Sequence, residues 1–207
     1  MITLKKLQNI SSTRLRRMLH VVKAFKGRSP LYPRFIQLLL TYKCNANCPF
    51  CYQDSEKKKI SDMSIGDAQI IERNIRKSFN FKPRIHFFGG EPTVNTDFVE
   101  ILKYFSYAGY KISMTTNGID LLKYGKEIVE TKGLREIHIS LNDLDFERVL
   151  STLKQISNID VNNNLHITLN CPITEINQDR LLDIVEKFEH SEAKCLTFQH
   201  RGFIWHG

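Results

Sequence analysis

Long apolar runs are missing from this 207-residue chain. The longest of note is Leu38 to Leu40, extended by Phe35 and Ile36 around Gln37. A membrane span needs roughly 18 such residues, so no segment reads as one. No secretory leader is expected: Arg14, Arg16 and Arg17 interrupt the apolar stretch near the N-terminus, and no small-residue cleavage site follows. The expected location is cytoplasmic. Repeats and low-complexity linkers are absent, and the composition (42% hydrophobic, 10% aromatic, 25% charged) excludes a largely disordered, collagen-like or mucin-like chain. At this length one core can bury most of its apolar surface, so a single main domain is expected.

Acid is lacking where the chain starts. Residues 1–53 hold ten of the thirty Lys and Arg and none of the twenty-two Asp and Glu, so the excess charge of +8 sits at the N-terminus and the body is near neutral. There Leu15, Met18, Leu19, Val22 and Phe25 fall at helical spacing behind Ser12 and Thr13, which can cap a helix. Residues 1–33 therefore read as a basic amphipathic helical extension, and residues 34–207 as the core domain. The extension's cationic face either is simply solvated or meets an acidic partner or an anionic membrane surface. Every motif follows Pro30, so its removal is expected to leave the core intact.

Past Pro30, β-rich runs alternate with amphipathic stretches. Strands are expected over 34–41, 84–88, 111–116, 135–141, 165–171 and 194–200, and helices over 64–78, 97–107, 121–131, 145–157 and 177–190. Such alternation implies an α/β fold of parallel strands with right-handed crossovers, either an open doubly wound sheet or part of a barrel. Ligands gather where such strands end, and each unusual polar or Gly-rich cluster of this sequence follows a strand.

Three of the five cysteines lie together, Cys44, Cys48 and Cys51, directly after the first strand. Their spacing favours a metal over a disulfide framework. A structural zinc site wants a fourth ligand that a distant His or Cys would have to supply. Three thiolates also suffice to hold three irons of a cubane and leave the fourth open.

The CxxxCxxC spacing, with Phe50 before the last cysteine, resembles the signature of the radical S-adenosylmethionine superfamily. Gly89-Gly90-Glu91-Pro92 after the second strand resembles its GGEP segment, and Thr115-Thr116-Asn117-Gly118 and Ser140-Leu141-Asn142-Asp143 follow the third and fourth. The resemblance covers about residues 34–200. It implies a partial (β/α)6 TIM-like barrel, with a sixth helix for which the chain leaves no room before Gly207; either a minimal core or a chain lacking its C-terminal part is expected. It further implies one 4Fe-4S cluster on Cys44, Cys48 and Cys51, S-adenosylmethionine on the open iron, a reductant such as flavodoxin or ferredoxin, and hydrogen abstraction from a peptide, protein or small-molecule substrate.

By the same resemblance, Phe50 faces the adenine, and the Gly89, Gly90, Glu91 and Pro92 segment approaches the methionine amino group. A side chain at Gly90 is then expected to hinder that ligand and spare the thiolates. Thr116, Asn117, Ser140 and Asn142 sit where the family binds the methionine carboxylate or ribose. Tight turns, strand-end caps and a core anchor explain the same residues as well. His138 shares strand parity with Ser140 and His200 ends the sixth strand, so either faces substrate or fills the interior. Asn170 is a candidate lining residue, and Cys171 is a thiol participant or a buried filler. Competing readings are a non-catalytic cluster-binding module, supported by the short C-terminus, and a zinc- or iron-binding nucleic-acid-associated protein. No helix-turn-helix, zinc-finger or RNP-like motif supports the last, and no specific nucleic acid is expected.

Overall fold

The computed structural model of the chain describes residues 33–48, 51, 60–141, 146–160, 164–175 and 177–200. The basic extension, Phe50, Lys57 to Lys59, Asn142, the side chain of His200 and residues 201–207 lie outside the described residues. By its contacts the chain divides between Arg34 and Phe35, and the unit from Phe35 onward holds the whole sheet.

Six strands form that sheet: β1 (Phe35–Thr41), β2 (Arg84–Gly89), β3 (Ile112–Thr116), β4 (Leu134–Ser140), β5 (His166–Ile173) and β6 (Cys195–His200). Their spatial order is the sequence order and every neighbouring pair is parallel. The crossover helices are α1 (Ile65–Ser78), α2 (Phe98–Tyr107), α3 (Gly125–Glu130), α4 (Phe146–Ile159) and α5 (Leu181–Glu189). Crossovers of a single hand between sequential neighbours put every helix on one face. The sheet is thus an open, partial TIM-like barrel.

Side-chain alternation follows from that placement. On the helix face, Ile85, Phe87, Met114, Ile137, Ile139 and Leu169 have no accessible surface. Phe87 meets Phe105 of α2 edge to face, with ring centroids 6.0 Å apart. Each such side chain contributes roughly 1.5–3 kcal/mol of burial. The opposite face is polar: register aligns Gln37, His86, Ser113, Glu136 and His166 in one row, and Ser140, Asn170 and Thr197 in another nearer the strands' C-terminal ends. His138 lies on this face, as its parity with Ser140 predicts.

Local chemistry explains the start of α1. Ser64 caps α1 in a reciprocal box, accepting the Asp67 amide while the Asp67 carboxylate accepts the Ser64 amide. The single helix expected over 121–131 is instead a 3-10 turn (Leu121–Tyr124) followed by the short α3. A turn of 3-10 helix at Pro92–Val94 and the continuation of β5 to Ile173 were not expected either.

Candidate functional site

The segment that leads into the cysteines is stitched to the Gly-rich loop after β2. Gly90 N–H donates to the Thr41 carbonyl and Glu91 N–H to that of Lys43, both at 2.8 Å. The loop therefore continues the β1–β2 ladder up to the residue before Cys44. A Cβ at Gly90 would overlap the Lys43 carbonyl oxygen, and one at Gly89 that of Thr41. These glycines are required by the backbone of β1's exit, so a side chain at Gly90 would disturb the cysteine loop itself. The expectation that such a change spares the thiolates is corrected on this ground.

The base of the cysteine loop is pinched closed. Asn95, 1% exposed, donates from Nδ2 to the carbonyls of Leu40 (2.7 Å) and Met63 (2.9 Å), which begin and end the loop. Asp62 accepts the Thr41 hydroxyl at 2.6 Å and pairs with Lys43 Nζ at 2.9 Å. Burial alone would raise the Asp62 carboxyl; the Thr41 and Lys43 donors outweigh it and hold it below the usual range.

Glu91 ties this assembly to β3. Its side chain is fully buried. Oε1 accepts the Thr93 amide (3.2 Å) and the hydroxyls of Thr93 and Thr116 (both 2.7 Å), and Oε2 accepts the Asn117 amide at 2.7 Å. Burial pushes its carboxyl above the usual range, against the pull of these four donors. The side chains of Glu91 and Thr116 are thus spent on each other behind the site, and Pro92, also buried, opens the 3-10 turn there. Gly118 supplies the left-handed φ of +77° that turns the chain after Asn117.

The three thiols stand in front. Cys44 and Cys48 are partly exposed, Cys51 is exposed, and all are free of disulfides. Cys51 N–H donates to the Cys48 carbonyl at 3.0 Å, and Cys44 Sγ accepts the Ala46 N–H at 3.4 Å and the Asn117 Nδ2 at 3.7 Å. Among the described residues no three His, Cys, Asp or Glu side chains are already gathered into a metal-holding group. The donor set nonetheless fits an iron–sulfur cluster in kind and number: three cysteine thiols on one loop, with two N–H groups aimed at the Cys44 sulfur.

Toward β6 the strand ends are looser. Ser140 is half-buried beside Asn170, whose Oδ1 accepts the Thr197 hydroxyl at 2.5 Å. Cys171 is 1% exposed with the parity of Leu169, on the helix face, which is the filler reading. Lower on the polar face, His86 is buried with its two ring nitrogens 2.9 Å from the Ser113 hydroxyl and 3.0 Å from that of Thr115. Its ring meets His138 edge-on at 5.8 Å. Burial, then His138, lowers the His86 pKa to about 4, and burial likewise lowers that of His138 against the pull of Glu136. Sequence reasoning missed His86, Asn95 and Asp62; strand parity alone could have pointed to His86.

Comparison with known proteins agrees with this geometry. A family model described as the Radical SAM superfamily matches residues 38–188. Over 112 residues the chain is 36% identical to a 7,8-dihydro-6-hydroxymethylpterin dimethyltransferase of Methanocaldococcus jannaschii, covering 53% of this chain and 21% of that protein. Over 126 residues it is 33% identical to a probable GTP 3',8-cyclase of Saccharolobus islandicus, covering 60% and 39%. The chain thus spans well under half the length of these relatives. Among solved structures, Streptococcus suis SuiB bound to its precursor peptide SuiA superposes with a TM-score of 0.70 at 16% identity, over 91% of this chain and 44% of SuiB. SuiB bound to S-adenosylmethionine gives 0.69 at 18% identity, over 96% and 49%. Among the described residues, no helix is long and apolar enough to cross a membrane.

Proposed function

Because this chain belongs to the radical SAM superfamily, whose members bind a 4Fe-4S cluster and S-adenosylmethionine, we propose that it is an enzyme that uses both to abstract hydrogen from a polar substrate. The observation that carries the reading is the stitching of the cysteine loop to the Gly89–Pro92 segment and, through Glu91, to the Thr116–Gly118 turn. Cys44, Cys48 and Cys51 would hold the cluster. When bound, cluster and S-adenosylmethionine together supply reductive cleavage of the sulfur–C5′ bond and a 5′-deoxyadenosyl radical.

The chain's own residues bind, orient and shield. Glu91, Asn95 and Asp62 fix the loop's base and its approach to β2 and β3. Ser140 and Asn142 remain the candidates for the carboxylate or ribose, and Phe50 for the adenine. The polar concave face, with Asn170, Thr197 and His138, is the surface proposed for substrate. Its hydroxyl, amide and neutral imidazole groups suit hydrogen-bonded recognition of a peptide or a polar small molecule. Both classes occur among the similar proteins, which include a pterin dimethyltransferase, a probable GTP cyclase and SuiB with its precursor peptide. The electron would come from a flavodoxin- or ferredoxin-like reductant.

Anaerobic reconstitution with iron and sulfide, followed by S-adenosylmethionine and dithionite, tests this. About four iron and four sulfide per chain and slow release of 5′-deoxyadenosine are expected. Stoichiometric zinc without iron uptake would overturn the reading, and a full cluster with no spectral response to S-adenosylmethionine and no nucleoside would favour a non-catalytic module.

A further inference from the structure

We infer that the Asn117 carboxamide is a positioning residue for Cys44 that sets the potential of the metal centre, raising it by donating a hydrogen bond to the Cys44 sulfur. This rests on the proposed function only in that the three thiols must hold an iron–sulfur cluster.

The orientation of the amide follows from its partners. Asn117 Oδ1 accepts the Ile119 N–H at 2.9 Å, a contact that only the oxygen can make. The NH2 group must therefore face the cysteine loop. There one contact runs to Asn45 Oδ1 at 2.8 Å and another to Cys44 Sγ at 3.7 Å. Asn45 is oriented in turn, because its Nδ2 donates to the Asp120 carboxylate at 2.8 Å, which accepts only. That leaves its oxygen toward Asn117. The backbone beneath is fixed as well, since the Asn117 N–H is held by buried Glu91. A relay from Asp120 through Asn45 to Asn117 thus aims one N–H at one thiol, and Asn117 is only 7% exposed.

Such a bond has a specific consequence. Adding one electron to a cluster increases negative charge on its sulfur ligands, so a fixed N–H donor stabilises the reduced form more than the oxidised one. Low exposure strengthens the effect. The Ala46 N–H also reaches Cys44, but it is backbone and present whatever the side chains. Asn117 is the donor that sequence can change.

The test is a redox titration of the reconstituted full chain, followed by electron paramagnetic resonance, for wild type, Asn117→Asp and Asn117→Ala. Asn117→Asp keeps the Oδ1 that accepts the Ile119 amide, so the turn persists while the donor becomes a charged acceptor. At the potential where wild type is half reduced, its reduced-to-oxidised ratio is expected to fall at least tenfold, about 59 mV for a one-electron couple. Asn117→Ala should shift it the same way by less. Because both polar atoms of the Asn117 side chain are engaged by Ile119, Asn45 and Cys44 rather than directed to the carboxylate or ribose that the resemblance implies, the concentration of S-adenosylmethionine that half-saturates the spectral change should stay within about threefold of wild type. An unchanged potential in either loaded variant would overturn the inference. So would lost S-adenosylmethionine binding at an unchanged potential, which would make Asn117 a direct cofactor ligand. If Asn117→Asp fails to load, Asn117→Ala decides; if both fold by circular dichroism yet neither loads, the amide holds the loop and does not tune it. Failure of wild type itself to take up iron would instead strike the proposed function.

Discussion

The two ends of the sheet treat polar side chains in opposite ways. At the tips of β1, β2 and β3, Glu91, Asn95, Thr116 and Asn117 are buried; Glu91 accepts the Thr116 hydroxyl and the Asn117 N–H, and Asn95 donates to the Leu40 carbonyl, across 25 to 55 residues of sequence. At the tips of β4, β5 and β6, Ser140, Asn170 and Thr197 remain partly exposed on the concave face, where the Thr197 hydroxyl donates to Asn170 Oδ1. Buried, satisfied networks fix one geometry, because any displaced member leaves an unpaired partner. Exposed ones tolerate change. The first half therefore suits a cofactor whose position must not vary, and the second a substrate surface free to differ.

Breaking this contrast most severely is the role of Gly90→Val. The new side chain would overlap the Lys43 carbonyl next to Cys44, a backbone clash that nothing flexible can relieve. Loss of most of the iron is expected, comparable to Cys44→Ala, with destabilisation above about 4 kcal/mol. Iron content and chemical denaturation report the two effects. Full iron with impaired S-adenosylmethionine binding would return Gly90 to a ligand-facing role.

Next in size is Glu91→Ala, which strands the Asn117 and Thr93 amides and two hydroxyls in a buried place. At about 1–3 kcal/mol for each buried group left unpaired, offset by partial relaxation, a loss of about 4 kcal/mol is expected. A loss under about 1 kcal/mol would mean that water reaches this network and that the two halves differ less than their burial suggests.

Much of this was legible beforehand. All six strands and the five helical regions fall where apolar alternation puts them, because burial on one face imposes a period that survives in the sequence. Cys44 to Cys51, the Gly89 segment and the Asn117 turn were visible as short motifs. What joins them was not. Asn117 reads locally as a turn residue, and nothing in sequence reveals that Asn95 closes a loop from Leu40 to Met63. The reason for Gly90 was also hidden, since the atom it makes room for belongs to residue 43. The helix over 121–131 broke at Gly125, where the Ile159 side chain packs 3.0 Å from the missing Cβ.

His86 gives a test that depends on pH. Its folded pKa of about 4 lies below the ordinary 6.5 because burial disfavours the charged ring. Between these values the unfolded chain binds the extra proton, so stability rises with pH there and is lost on acidification. From pH 7 to about 4, His86 should remove about 3 kcal/mol. His86→Gln cannot titrate, and its stability should fall by correspondingly less over that range in urea denaturation. Parallel losses in the two proteins would show that water already reaches His86.

The smallest effect is expected on the looser side, from Thr197→Val. This isosteric change removes the hydroxyl that donates to Asn170 Oδ1 at 2.5 Å, leaving the Asn170 oxygen on a partly exposed face where water can replace the donor. A net loss of about 1 kcal/mol or less follows. Iron content and the reduced-cluster spectrum should match wild type, because among the described residues no bond of the Glu91 and Asn95 network passes through β6. Substrate affinity should suffer more than stability if the concave face is the recognition surface. Iron loss in Thr197→Val would instead show that the two halves are mechanically one, and that order at the β1 to β3 tips depends on the far edge of the sheet.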